Sequence, residues 1–170
     1  NIIKNNIEKQ KISPKINNKN NDINFLKREN KVLEKILVEQ SSIKRYCSSN
    51  YFIIDSNFIT NFKHPYSCLI AIINFVHFNE DNEKYQNIKI YSNKNIVSVY
   101  NGLIWEWKLK DDFYDDLYYY IKKRVFTILE NNCIKDSFKM AYYKFFNADL
   151  NNIYNKLELD IINSQRSLKK

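Results

Sequence analysis

The sequence predicts an α+β fold in a single domain, with helices packed on one face of an antiparallel sheet. Three observations carry this prediction. Apolar residues recur at helical spacing in residues 23–46 and again through the last third of the chain. Between these helical regions lie short runs rich in Ile, Val, Tyr and Phe, bounded by polar breaks, as strands are. The only glycine among 170 residues, Gly102, follows Asn101 inside such a run, and Asn-Gly closes tight turns because both residues tolerate positive φ.

Taken in order, residues 1–22 are polar without a sustained apolar period and read as a flexible arm. The domain is expected over 23–163, with a polar tail at 164–170. The first helix, 23–46, gathers Leu26, Leu33, Ile36, Leu37 and Ile43 near one face. An antiparallel meander of four strands is expected next. "YFIID" (51–55) and "NFITNF" (57–62) are short β-rich runs. "SCLIAIINFVHF" (67–78) reads as a buried strand by its Ile and Val content, although Pro65 also suits a helix start. "NEDNEK" (79–84) is a loop, and "QNIKIYS" (86–92) alternates as a half-buried strand does.

A two-residue Asn101-Gly102 turn would then pair Tyr100 with Leu103, Ser98 with Trp105 and Ile96 with Trp107. Ile96, Tyr100, Leu103, Trp105 and Trp107 would share one face, as core or as a recognition surface. Three helices close the chain. The first follows Asp111 or Asp112 and carries a stripe of Phe113, Leu117, Ile121, Val125 and Ile128, with acids early and "KKR" (122–124) late, matching the helix dipole. The second carries Phe138, Ala141, Tyr142 and Phe145, and the third Leu150, Ile153, Leu157 and Ile161.

Composition narrows the function classes. A formal charge of +8 favours nucleic acid or anionic membranes, but it is spread along the chain and matches no nucleic-acid-binding motif. The Asn, Lys and Ile bias is that of an AT-rich genome. Cys47, Cys68 and Cys133 form neither a disulfide framework nor, with His64 and His77, a zinc spacing; no metal or cofactor is expected, and an intracellular setting fits. The acids of "DDFYDDLYYY" read as dipole complements in the first turns of a helix rather than as an acid–base pair.

The run after the glycine adds a resemblance. Gly102 is followed by Leu103-Ile104-Trp105, then Leu109-Lys110, with Phe113 three residues on. This spacing resembles the active-site signature of the ubiquitin-conjugating enzymes, whose His-Pro-Asn-Ile, Gly and x-Ile-Cys precede Leu-Lys and a Trp. "FLKRENKVLEKIL" is similar to the family's first helix, and "IKKRVFTILENNCIKDSFKMAYYKFFNADLNNIY" to its later helices, so the resemblance spans about 23–160. It implies a UBC-like fold: an N-terminal helix, the four-stranded meander and about three C-terminal helices.

The departures bear on activity. Trp105 stands at the thioester cysteine's position, and indole cannot form a thioester. Asn93-Lys94-Asn95-Ile96 stands for His-Pro-Asn-Ile, so only Asn95 matches the oxyanion-stabilising asparagine. "EKYQNIKIY" replaces the family's proline-rich run. Asp136 falls near the acidic gate residue and reads as a helix cap for Ser137 onward, while Cys133 is a substitute nucleophile of low standing. The expectation is a catalytically inactive variant that binds ubiquitin, a ubiquitin-like protein or an active conjugating enzyme, through Leu26, Leu33, Tyr100, Trp105 and Trp107. The alternatives are a scaffolding module of the RWD type, joined through helix 23–46, and a basic nucleic-acid-binding domain.

Overall fold

A computed structural model of the chain describes residues 23–33, 44–148 and 152–168. By contacts the chain divides into two units, residues 1–42 and 43–170. In the first unit, 23–33 are helical (α1). The expected arm, 1–22, and the apolar residues Ile36, Leu37 and Ile43 lie outside the described residues. Residues 44–46 are not helical, so the predicted helix stops short of its predicted end.

The second unit is α+β. Its described elements are a 3-10 turn (Ser48–Ile53), α2 (Ser56–Thr60), α3 (Pro65–His77), a 3-10 turn (Glu83–Tyr85), β1 (Ile88–Ile90), β2 (Ile96–Tyr100), β3 (Trp105–Leu109), α4 (Lys110–Asn131), α5 (Asp136–Phe146) and α6 (Tyr154–Leu168). The sheet has three strands, antiparallel in the order β1-β2-β3, and not the four expected.

None of the strands expected at 51–55, 57–62 and 67–78 forms: residues 51–53 finish a 3-10 turn, and the other two runs are mainly helical, each for a local reason. Asp55 caps α2: its carboxylate accepts the Phe58 N–H at 2.9 Å. Pro65 sits in the first turn of α3, where its missing N–H costs nothing. The buried residues of α3 fall in two adjacent rows, Cys68-Ile72-Val76 and Leu69-Ile73-His77, which a helix brings to one side and a strand would send to opposite faces. Its β-branched content pointed to a strand, but burial on a helix overrides that weak preference.

The strand expected at 86–92 shortens to Ile88–Ile90. Ile88, Ile90, Val97 and Val99 are buried on the inner face of the sheet, against which α4 and α6 pack. The stripe predicted for α4 is buried as a whole: Phe113, Leu117, Ile121, Val125 and Ile128. On α5 the buried residues are Tyr142 and Phe146, while Ala141 is exposed. On α6 they are Leu157, Ile161 and Ile162, and residues 164–168 of the expected tail continue that helix.

Neither expected aspartate cap forms. The helix begins at Lys110, ahead of Asp111 and Asp112, and Asp136 is the first residue of α5, with Lys135 at the cap position and no side-chain cap bond. Arg124, from the "KKR" run, is not a solvated point charge. Its guanidinium donates to the Phe52 and Ile54 carbonyls, tying α4 to the segment before α2.

Candidate interaction surface

The β2–β3 hairpin holds most of the residues singled out by sequence. Its register is Tyr100↔Trp105, Ser98↔Trp107 and Ile96↔Leu109, two residues off the predicted pairing. The turn is longer than Asn-Gly alone. Asn101 and Ile104 close it by an Asn101 N–H to Ile104 carbonyl bond of 3.0 Å. The Asn101 side chain accepts the Leu103 and Ile104 N–H groups at 2.8 and 2.9 Å and donates to Glu106 at 2.7 Å. Gly102 has φ 104°, a region that a Cβ disfavours, and this answers why the sole glycine stands here. Because the slip is an even number of residues, Ile96, Tyr100, Trp105 and Trp107 keep their common face. Leu103 leaves it for the turn.

That face is half open. Trp105 packs edge-on against Tyr100, ring centroids 5.3 Å apart, and is partly buried. Lys44 and Lys89 place their ammonium groups 5.6 and 4.2 Å from the Trp105 ring centroid. Trp107 is 78% exposed, and Leu103, Ile104 and Leu109 are 84%, 62% and 56% exposed. These four large apolar residues fall within seven positions of one hairpin, Leu103 and Ile104 in the turn and Trp107 and Leu109 on the strand that forms one edge of the sheet. A concentration of exposed apolar surface of this kind marks an interaction site more often than scattered surface residues do.

The positions matched to conjugating-enzyme chemistry are not brought together. Asn95 is exposed and lies at the base of the hairpin, where its carbonyl accepts the Lys110 N–H at 3.0 Å. Trp105 lies at the tip end, about 16 Å away along the strand at ~3.3 Å per residue. Asp136 is exposed at the start of α5. Cys133 is exposed in the α4–α5 loop, beside a cavity of about 480 Å³ that it shares with Lys63, Lys135 and Phe138 and that no histidine lines among the described residues.

Of the other cysteines, Cys68 is buried in α3, and burial pushes its thiol up to about 11, away from nucleophilic character. Cys47 is partly exposed, with its sulfur among Arg45, Ser49 and Asn50 at the start of the first 3-10 turn. Leu26 and Leu33 are exposed on the described part of α1, at 59% and 54%.

The remaining titratable groups are structural. His77 is fully buried: Asn87 Oδ1 lies 2.6 Å from Nδ1, and the Tyr51 hydroxyl lies 2.6 Å from Nε2. Asn87 Nδ2 donates to the Val76 carbonyl, so its oxygen faces the ring; Nδ1 carries the proton and Nε2 accepts from Tyr51. Burial lowers the His77 pKa to about 4, partly offset by the Asn87 bond. Two acids of α4 have partners within the fold: Asp116 pairs with Lys108, and Asp115 accepts from the Tyr154 hydroxyl at 3.3 Å. No group of three or more His, Cys, Asp or Glu among the described residues would hold a metal ion. No helix among them is long and apolar enough to cross a membrane.

Sequence reasoning missed Ile104 and Leu109 as surface, since apolar residues in a strand-like run read as core, while Leu103 stood on the face read as core or recognition surface. In comparisons with known proteins, no family model, curated protein or solved structure matches the chain.

Proposed function

We propose that this chain is a non-catalytic protein-interaction domain that docks its partner on the β2–β3 hairpin, around Trp107. The observation that carries the reading is the exposure of Trp107 beside Leu103, Ile104 and Leu109 on a sheet edge. Exposing a Trp and three aliphatic side chains is unfavourable in an isolated molecule, and a partner that covers them recovers that free energy. The partner class follows from the resemblance: ubiquitin, a ubiquitin-like protein or an active conjugating enzyme, bound without a thioester because indole occupies the nucleophile's position.

Titration of isotope-labelled ubiquitin, and separately of a conjugating enzyme, with this chain tests the reading. Chemical-shift changes on a defined patch, lost with Trp107→Ala, support it. Absence of any change in both titrations removes the ubiquitin-related partner. Incubation with activating enzyme, ATP and ubiquitin is expected to give no reducible adduct, and an adduct lost with Cys133→Ser would overturn the non-catalytic reading.

A second reading, an RWD-type scaffolding module, is favoured by α1. Ile23, Leu26, Val32 and Leu33 are all substantially exposed within its described residues. Those side chains suit a helix that completes a larger assembly. Binding lost with a Leu26→Asp, Leu33→Asp double variant but retained with Trp107→Ala favours the scaffold over the hairpin.

A further inference from the structure

The opposite edge of the sheet carries different chemistry. Along β1 opens a cavity of about 810 Å³, walled by β1, the loop 91–94 and the last turns of α6. Lys44, Lys89, Lys94 and Arg166 line it, and no carboxylate does among the described residues. Acids stand at its margin: Glu83 lies 3.8 Å from Lys44 and is mostly exposed, Glu80 lies in the adjoining cavity beyond Gln86, and Glu158 is paired with Lys110. Ile88, Ile90, Ile162 and Leu168 supply the aliphatic side of the groove.

The backbone at this edge is already recognised by an amide. The Ile90 N–H donates to Gln165 Oε1 at 2.7 Å, and Gln165 Nε2 donates to the Ile90 carbonyl at 2.9 Å. One side-chain amide thus supplies the acceptor and donor that a residue of a neighbouring antiparallel strand would supply. Gln165 behaves as a one-residue stand-in for an added strand.

We infer that this groove binds an extended acidic segment of a partner protein, laid along β1 as a fourth strand with its carboxylates on Lys44, Lys89, Lys94 and Arg166. Strand addition provides the main-chain bonds, and the charges provide the preference for an acidic sequence. The inference goes beyond the hairpin reading and requires no contact with Trp107. A second copy of this chain is a poor occupant, because each copy carries +8 and the same basic groove. Single-stranded nucleic acid is disfavoured too. The two aromatic rings that line the groove are already engaged: Lys44 and Lys89 place ammonium groups at the Trp105 ring and Lys94 at the Tyr91 ring, whereas base stacking needs open aromatic faces.

The test is fluorescence anisotropy on the full chain with short labelled peptides. One alternates Glu with Val; a second carries Lys for every Glu; a third keeps the acids but replaces alternate valines with proline, which cannot donate to a ladder. An oligothymidine is the nucleic-acid probe. The Glu-Val peptide is expected to bind, to weaken about tenfold in the Lys89→Glu, Arg166→Glu double variant, and to weaken as salt rises. The proline and lysine peptides are expected not to bind. Gln165→Ala opens the Ile90 backbone groups and is expected to tighten binding, since the entering strand no longer displaces an amide. Trp107→Ala is expected to leave this binding unchanged, so failure here and failure at the hairpin are read separately. No binding of the acidic peptide, equal binding of the proline peptide, indifference to charge reversal, or tighter binding of the oligonucleotide each overturns the inference.

Discussion

Helix α3 and the β2–β3 hairpin are built from similar residues and meet opposite fates. "SCLIAIINFV" and "VYNGLIWEW" are both rich in Ile, Leu, Val and aromatics. In α3, Cys68, Leu69, Ile72, Ile73 and Val76 are all buried. In the hairpin, Leu103, Ile104, Trp107 and Leu109 are all exposed. The difference lies in neighbours. The second unit packs α3 against α5 and α6, whereas β3 is an edge strand whose Trp107 and Leu109 stay exposed. Apolar composition therefore marks what must be covered. Whether the cover is the chain itself or another molecule depends on the layers around it.

The largest effect that would sharpen this contrast is in the helix. Ile73→Ala is expected to destabilise the second unit by about 4 kcal/mol, from lost transfer free energy plus an unfilled cavity, measured by urea unfolding. A loss below about 1 kcal/mol would break the comparison by showing α3 to be loosely packed.

Next in size is the pH dependence carried by His77 on the same helix. Its folded pKa of about 4 lies below the ordinary 6.5, so the unfolded chain binds the proton more readily. This contribution is complete above pH 6.5 and is lost as pH falls toward 4, amounting to about 3 kcal/mol. Unfolding free energies measured across that window are expected to fall with pH, and His77→Gln is expected to flatten the slope.

Smaller effects are expected in the hairpin. Gly102→Ala forces a Cβ into positive φ and is expected to cost about 1–2 kcal/mol, seen as a lowered midpoint in thermal unfolding. Smallest of all, Trp107→Ala is expected to change stability by less than about 0.5 kcal/mol, because its ring has little to lose on truncation. A loss of several kcal/mol from Trp107→Ala would mean that the indole is covered within the molecule in solution, and the proposed docking surface would fall with it.

The legible parts of the sequence were those with a strong local period. The α4 stripe from Phe113 to Ile128 repeats over four turns, and all of it is buried as its spacing requires. The hairpin was legible from Asn101-Gly102, but its register was not. The Asn101 side chain bonds to two backbone N–H groups and lengthens the turn, a geometry that the dipeptide does not specify. Residues 51–62 were misread because short runs carry too few turns to show a period, and the Asp55 cap was a quieter signal than the aromatics around it.

By itself, then, the sequence determined the mixed α+β character, the hairpin's place at the sole glycine and the three trailing helices. Those are properties of periods and of one residue's φ, all written locally. The tertiary structure alone decided that the run at 67–78 is a buried helix, that Asn95 and Trp105 stand at opposite ends of a hairpin, and that Lys44, Lys89, Lys94 and Arg166 line one groove. The physical reason is that burial and proximity are set by which layers the chain stacks together. Cations spread over more than a hundred positions become one site only when β1 and the end of α6 are packed side by side.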